Sequence, residues 1–163
     1  MAKIKNVKVD TISLMNRGFY WNWKTFTTFT DDNGNETYLI DGKEVTKDEG
    51  NKIYLEMKNS NLKWRNTQNA KEYFSRQRAQ YNRYKKKGIA DKYTFYLNAE
   101  DTFKRTVTEE EVSYETLIER LEKSIDQYVE YIDDYRQYES AKASNAEIRR
   151  KIDALKKLIE ERK

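Results

Sequence analysis

Apolar and polar positions along the chain switch from a two-residue to a helical period. Over residues 4–15, Val7 and Val9 alternate with polar neighbours in one phase and Ile12 and Leu14 in the other, which predicts a strand with a bulge near Asp10. The run FYWNWKTFTTFT over 19–30 predicts a second strand, with Phe19, Trp21 and Trp23 on one face and Tyr20 on the other. DDNGN at 31–35 supplies residues that tolerate positive φ, and the β pattern resumes over 37–40, so these two strands form a hairpin. Asp41 and Gly42 mark another turn. A small antiparallel sheet is the expected result.

Helical spacing dominates from residue 46 onward. Thr46 and Glu49 have the spacing of a capping box, and Ile53, Leu55 and Met57 alternate as in a strand. The caps favour a helix over 47–59, although Gly50 weakens it by about 1 kcal/mol relative to Ala. A second helix is predicted over 68–87, capped by Thr67 and ended by Gly88, with Ala70, Tyr73, Phe74, Gln77, Tyr81 and Tyr84 on its inner face. Alternation over 93–97 predicts another strand, and 102–107 a short edge strand. Thr108 and Glu111 form a further capping box, after which Tyr114, Ile118, Leu121, Ile125, Tyr128, Ile132 and Tyr135 recur at four and three residues. One helix over 109–139 is predicted, then a bend at 141–144 and a last helix capped by Ser144 and Glu147. The expected fold is α+β: an N-terminal antiparallel sheet packed on helices over 1–107, and an antiparallel helical hairpin over 108–163, in a single domain.

Composition narrows the chemistry. The 163 residues include 13 Tyr and 3 Trp, an aromatic content typical of folded chains, and neither Cys nor His. Disulfides, thiolate nucleophiles, imidazole bases and the commonest metal ligands are therefore missing, and no metal or cofactor is expected. No apolar run is long enough to span a bilayer, and the N-terminus lacks the hydrophobic stretch of a signal peptide. A cytoplasmic protein of a bacterial host cell without membrane attachment is the expectation. Richness in Lys, Asn, Ile and Tyr resembles the translation of an AT-rich genome.

The net charge of +4 hides a sorted distribution. Residues 65–105 hold 11 basic and 4 acidic residues, whereas 109–139 hold 3 and 11. Arg65, Arg76, Arg78, Arg83, Lys85, Lys86 and Lys87, with Tyr81 and Tyr84, predict a positive stripe that meets phosphates or an anionic partner. Glu115, Glu119, Glu122, Asp126, Glu130 and Asp133 predict an acidic face that imitates a phosphate track. For Trp21, Trp23 and Trp64, buried aromatic packing in a small sheet is the favoured role and a recognition surface the alternative.

Three functions remain open at this level. Small size, segregated charge and missing catalytic residue types resemble accessory proteins of phages and mobile elements. That resemblance implies a non-enzymatic protein that binds and inhibits a nucleic-acid-handling host enzyme, the anti-CRISPR-type inhibitor of a defence nuclease being its sharpest form. Such a protein works as a monomer or dimer and needs no active site. The second reading is a DNA- or RNA-binding protein acting through the helix at 68–87. The third follows from Asp41 with Glu56 and Lys58 in IYLEMK, which resembles the acidic-x-Lys signature of restriction-type nucleases and implies two carboxylates holding Mg²⁺. That chemistry needs residues 52–58 to be a strand, and Ile40 stands where the family usually has Pro.

Overall fold

The computed structural model describes residues 6–161; the Ile4 end of the first predicted strand lies outside them. Strands β1 (Asn6–Arg17), β2 (Trp21–Thr30), β3 (Glu36–Ile40), β4 (Lys43–Val45) and β5 (Phe103–Ser113) form one antiparallel sheet in the order β4-β3-β2-β1-β5. Helices α1 (Lys47–Arg65), α2 (Gln68–Lys86), α3 (Tyr114–Ser124) and α4 (Tyr135–Glu161) complete the α+β fold. Contacts divide the chain into two compact units. The first contains residues 6–12, 25–50 and 107–161, and the second 13–24 and 51–106.

In the first unit the predicted hairpin forms with Phe26 opposite Ile40 and Thr30 opposite Glu36. Its turn is held by the Asp31 carboxylate, whose Oδ1 accepts from the backbone N–H of Asn33 at 2.8 Å and Asn35 at 3.0 Å. The next turn, Asp41-Gly42, has both residues at positive φ, 51° and 81°, as a two-residue hairpin of this twist requires. The core joins Val7, Phe29 and Leu39 of the strands to Tyr114 and Leu117 of α3 and Leu155 of α4.

The C-terminal hairpin is present, but its turn lies elsewhere than predicted. Residues 109–113 belong to β5, where Lys8 Nζ meets Glu109 Oε1 at 2.5 Å. Ser113, rather than Thr108, is the N-cap of α3, accepting from the Thr116 N–H at 3.2 Å. The helix ends at Ser124, in the middle of the predicted repeat. Buried Asn145 explains the break: its amide takes both the N–H and the carbonyl of Asp126, each at 2.9 Å, and bends the chain. Val129 is buried within the bend, so the apolar repeat there serves a packed loop. Asp134 then caps α4, its Oδ1 accepting from the Gln137 N–H at 2.9 Å. The bend predicted at 141–144 is continuous helix, and Ser144 and Glu147 sit inside α4.

In the second unit α1 is a helix, longer than predicted, and α2 matches its expected span. Thr67 Oγ1 accepts from the Ala70 N–H at 3.2 Å, and Gly88 ends α2 at a φ of 72°. Thr67→Ala is expected to lower stability by about 1 kcal/mol, read as a reduced midpoint in urea unfolding with an unchanged slope. The strand predicted over 93–97 does not form. Its alternation instead places rings on α2: Phe95 lies 5.4 Å from Tyr81 and 5.7 Å from Tyr84, and Tyr93 lies 4.9 Å from Tyr84. The Tyr96 N–H donates to Gln77 Oε1 at 3.1 Å, which occupies a group that a sheet ladder would need. The predicted edge strand is present as the start of β5.

Candidate nucleic-acid interface

The end of β1 in the second unit is fixed from α1. Asn16 donates to the Met57 carbonyl at 3.2 Å, and Asn61 donates to the Arg17 carbonyl at 2.9 Å and to Thr102 Oγ1 at 3.1 Å. This places Arg17 among three rings, its Cζ 5.1 Å from the centre of Trp21, 5.2 Å from Tyr73 and 5.5 Å from Trp64. Its Nη1 donates to the Gly18 carbonyl at 3.0 Å, its Nε is buried with no hydrogen-bond acceptor, and the three ring faces surround the guanidinium. Burial pushes the Tyr73 hydroxyl above its usual pKa, and the Arg17 charge draws it partly back.

Two residues apart on β2, Trp21 and Trp23 share one side of the strand. Their rings lie 6.2 Å apart and 10° from parallel, and both face water, 43% and 65% exposed. The remaining Trp is 3% exposed in a core with Ala70 and Phe74. The three tryptophans therefore divide between an exposed pair and buried packing. Tyr96 supports Trp21 with its ring 5.4 Å away, and Lys104 Nζ lies 5.9 Å from the Tyr96 centroid. Phe19 and Tyr20, predicted within the strand, form an exposed bend before it.

Helix α2 turns Tyr73, Phe74, Gln77, Tyr81 and Tyr84 inward, so Tyr81 and Tyr84 are chiefly packing residues. At about 100° per residue its cations fall on both flanks of that face. Arg76, Arg83 and Lys87 follow one flank, Lys71, Arg78 and Lys85 the other, and Lys86 points outward; the predicted single stripe is two lines. All seven are exposed and, among the described residues, none joins an ion pair with a carboxylate. Arg65, at the end of α1, is half-buried with its Nε enclosed and without an acceptor.

Charge follows the units closely. Sequence segments 13–24 and 51–106 carry 16 basic and 5 acidic residues, and segments 1–12, 25–50 and 107–163 carry 16 and 23. The exposed tryptophans thus belong to a unit with very few carboxylates.

The acidic residues do not form one track. Glu115, Glu119 and Glu122 are exposed on α3, whereas Asp126, Glu130 and Asp133 lie in the bend after it. Lys123 also pairs with Glu119 at 2.9 Å and holds its carboxyl below the usual range. The regular anion spacing on which phosphate mimicry rested is lost at Ser124. For the nuclease motif, residues 52–58 are helical rather than a strand, with Glu56 and Lys58 exposed on α1. Asp41 has a structural role: its Oδ1 accepts from the Thr25 N–H at 3.0 Å, and its carbonyl accepts from Arg150. Among the described residues no three acidic side chains gather as a metal site, and no helix is long and apolar enough to cross a membrane.

Sequence reasoning missed Arg17, Tyr96 and Lys104 and favoured burial of Trp21 and Trp23. A signal was present in FYWNW, whose aromatic residues occupy both phases of the alternation, more than one face of a small sheet can cover. Comparison with known protein families, curated proteins and solved structures gives no match to this chain.

Proposed function

We propose that this protein binds single-stranded nucleic acid, with bases stacking on Trp21 and Trp23 and phosphates meeting the cations of α2. The observation that carries this reading is the exposed, nearly parallel tryptophan pair in a unit with 16 basic and 5 acidic residues. Stacking on aromatic rings requires unpaired bases and tolerates any sequence, because every base has a π face. Arg76, Arg78 and Arg83 are free of ion pairs among the described residues, and a guanidinium grips two phosphate oxygens at once. A single strand brings both groups together, whereas a duplex buries the base faces. The inhibitor reading drew on small size, segregated charge and missing catalytic residue types, and its phosphate-mimic form gains no support from an acidic helix that ends at Ser124.

The test is fluorescence anisotropy of a labelled 20-mer, single-stranded and duplex, across a salt series. Tighter binding of the single strand is expected, with log K falling linearly in log salt. Arg76→Ala with Arg83→Ala should weaken binding of all sequences alike and flatten the slope by about 0.7 for each cation that meets a phosphate. Equal affinity for the duplex, or a slope unchanged by the two substitutions, would refute the assignment.

A further inference from the structure

We propose that the free edge of β5 pairs antiparallel with the same edge of a second copy, about a twofold axis through Val107. Among the described residues β5 ends the strand order, beyond β1, and its residues 104–111 are all exposed. A long exposed edge presents unpaired N–H and C=O groups and recruits another strand unless its side chains forbid it. Here the side chains select the partner.

The segment KRTVTEE at 104–110 reverses its charge about Val107. A twofold axis that joins two edges into one antiparallel sheet is perpendicular to that sheet, so each residue keeps its face. Opposed residues must then be an even number of positions apart in the sequence. Centred on Val107, the register sets Lys104 opposite Glu110, Arg105 opposite Glu109 and Thr106 opposite Thr108, each twice, with Val107 opposite itself. Centring on Thr108 leaves only Arg105 opposite Glu111 as a charge pair and sets Val107 against Glu109. Centring on Thr106 leaves none, and an in-register parallel edge sets like charges side by side. The edge is thus charged against strands in general and complementary to itself.

Existing contacts are compatible with this register. Glu109 pairs with Lys8 at 2.5 Å and Glu110 with Arg120 at 2.6 Å, yet the two carboxylates are 56% and 50% exposed and each accepts further hydrogen bonds. Lys104 lies over Tyr96 and Arg105 over Tyr54, on opposite faces as strand neighbours must be. Because the axis preserves faces, the two copies present the Lys104 and Tyr96 side, where Tyr96 meets Trp21, in the same direction. The pairing itself does not depend on nucleic acid.

Sedimentation equilibrium of the full chain without nucleic acid tests the proposal. The native chain should show twice the monomer mass. Lys104→Glu with Arg105→Glu, and separately Glu109→Lys with Glu110→Lys, should each weaken self-association at least about tenfold, since like charges then oppose across the edge. Mixing the two variants should restore dimers, because every opposed pair becomes complementary again. Val107→Cys should give a covalent dimer on oxidation: opposed antiparallel Cα atoms lie about 4.5–5.5 Å apart, within disulfide reach, and the native chain has no Cys. A native chain that stays monomeric, together with a Val107→Cys variant that forms no cross-link, would overturn the proposal. So would dimers that survive both charge reversals.

Discussion

A chain with Trp21→Ala and Trp23→Ala together is expected to bind a single-stranded oligonucleotide roughly 30-fold or more weakly than the native protein. Stacking of a base on an aromatic side chain contributes about 1–3 kcal/mol by alanine substitution, so two rings account for about 2–6 kcal/mol, and each 1.4 kcal/mol is a factor of ten. Stability should change much less, because Trp23 is 65% exposed and Trp21 43%. Trp23→Ala alone is the cleaner probe, since Trp21 also lies against Arg17 and Tyr96. Trp23→Phe should recover much of the loss by keeping a flat π face. The measurement is anisotropy at fixed salt, with the fluorescence of buried Trp64 reporting an intact fold in the double variant. Native affinity in that variant would leave binding to the α2 cations alone and remove the stacking half of the proposal.

The same tryptophans show where sequence pattern stops being informative. Period-two alternation placed β2 and put Trp21 and Trp23 on a common side, and both features hold in the structure. Alternation cannot say which side of a sheet is covered, because that depends on how the distant helices pack. The elements set by local chemistry were legible: the Asp31 turn, the Asp41-Gly42 turn, the Thr67 cap and the Gly88 stop are each written in adjacent residues. The long predicted helix failed for a non-local reason. Its repeat is real, but Asn145, 19 residues beyond Asp126, takes the backbone groups that would continue α3. A local sign of the true restart was also present, since Asp134 and Gln137 have the spacing of a capping box. Residues 93–97 failed similarly, their alternation serving rings that pack on α2. The cations of α2 were legible as residues, whereas their division into two lines depends on which face of the helix is buried.

Gly42→Ala should be among the most damaging single-methyl changes in this chain, lowering stability by about 3 kcal/mol or more through the sum of two effects. Gly42 has a φ of 81°, where a Cβ costs roughly 1–2 kcal/mol on its own. A Cβ there would also lie 2.7 Å from the Glu147 carbonyl oxygen and 3.1 Å from Arg150 Cβ, because α4 passes directly over the turn. That approach is fixed: Arg150 donates to the Asp41 carbonyl from Nη2 at 2.7 Å and from Nε at 3.2 Å. A backbone carbonyl cannot rotate away as a side chain can, so the helix itself must shift. Gly34 supplies the control, having the same φ of 81° with nothing within 4 Å of an added Cβ. Gly34→Ala should therefore show the conformational term alone, about 1–2 kcal/mol. Thermal unfolding of the two variants separates the terms, with Gly42→Ala melting at least several degrees below Gly34→Ala. Equal losses would mean that α4 does not press on the turn between β3 and β4.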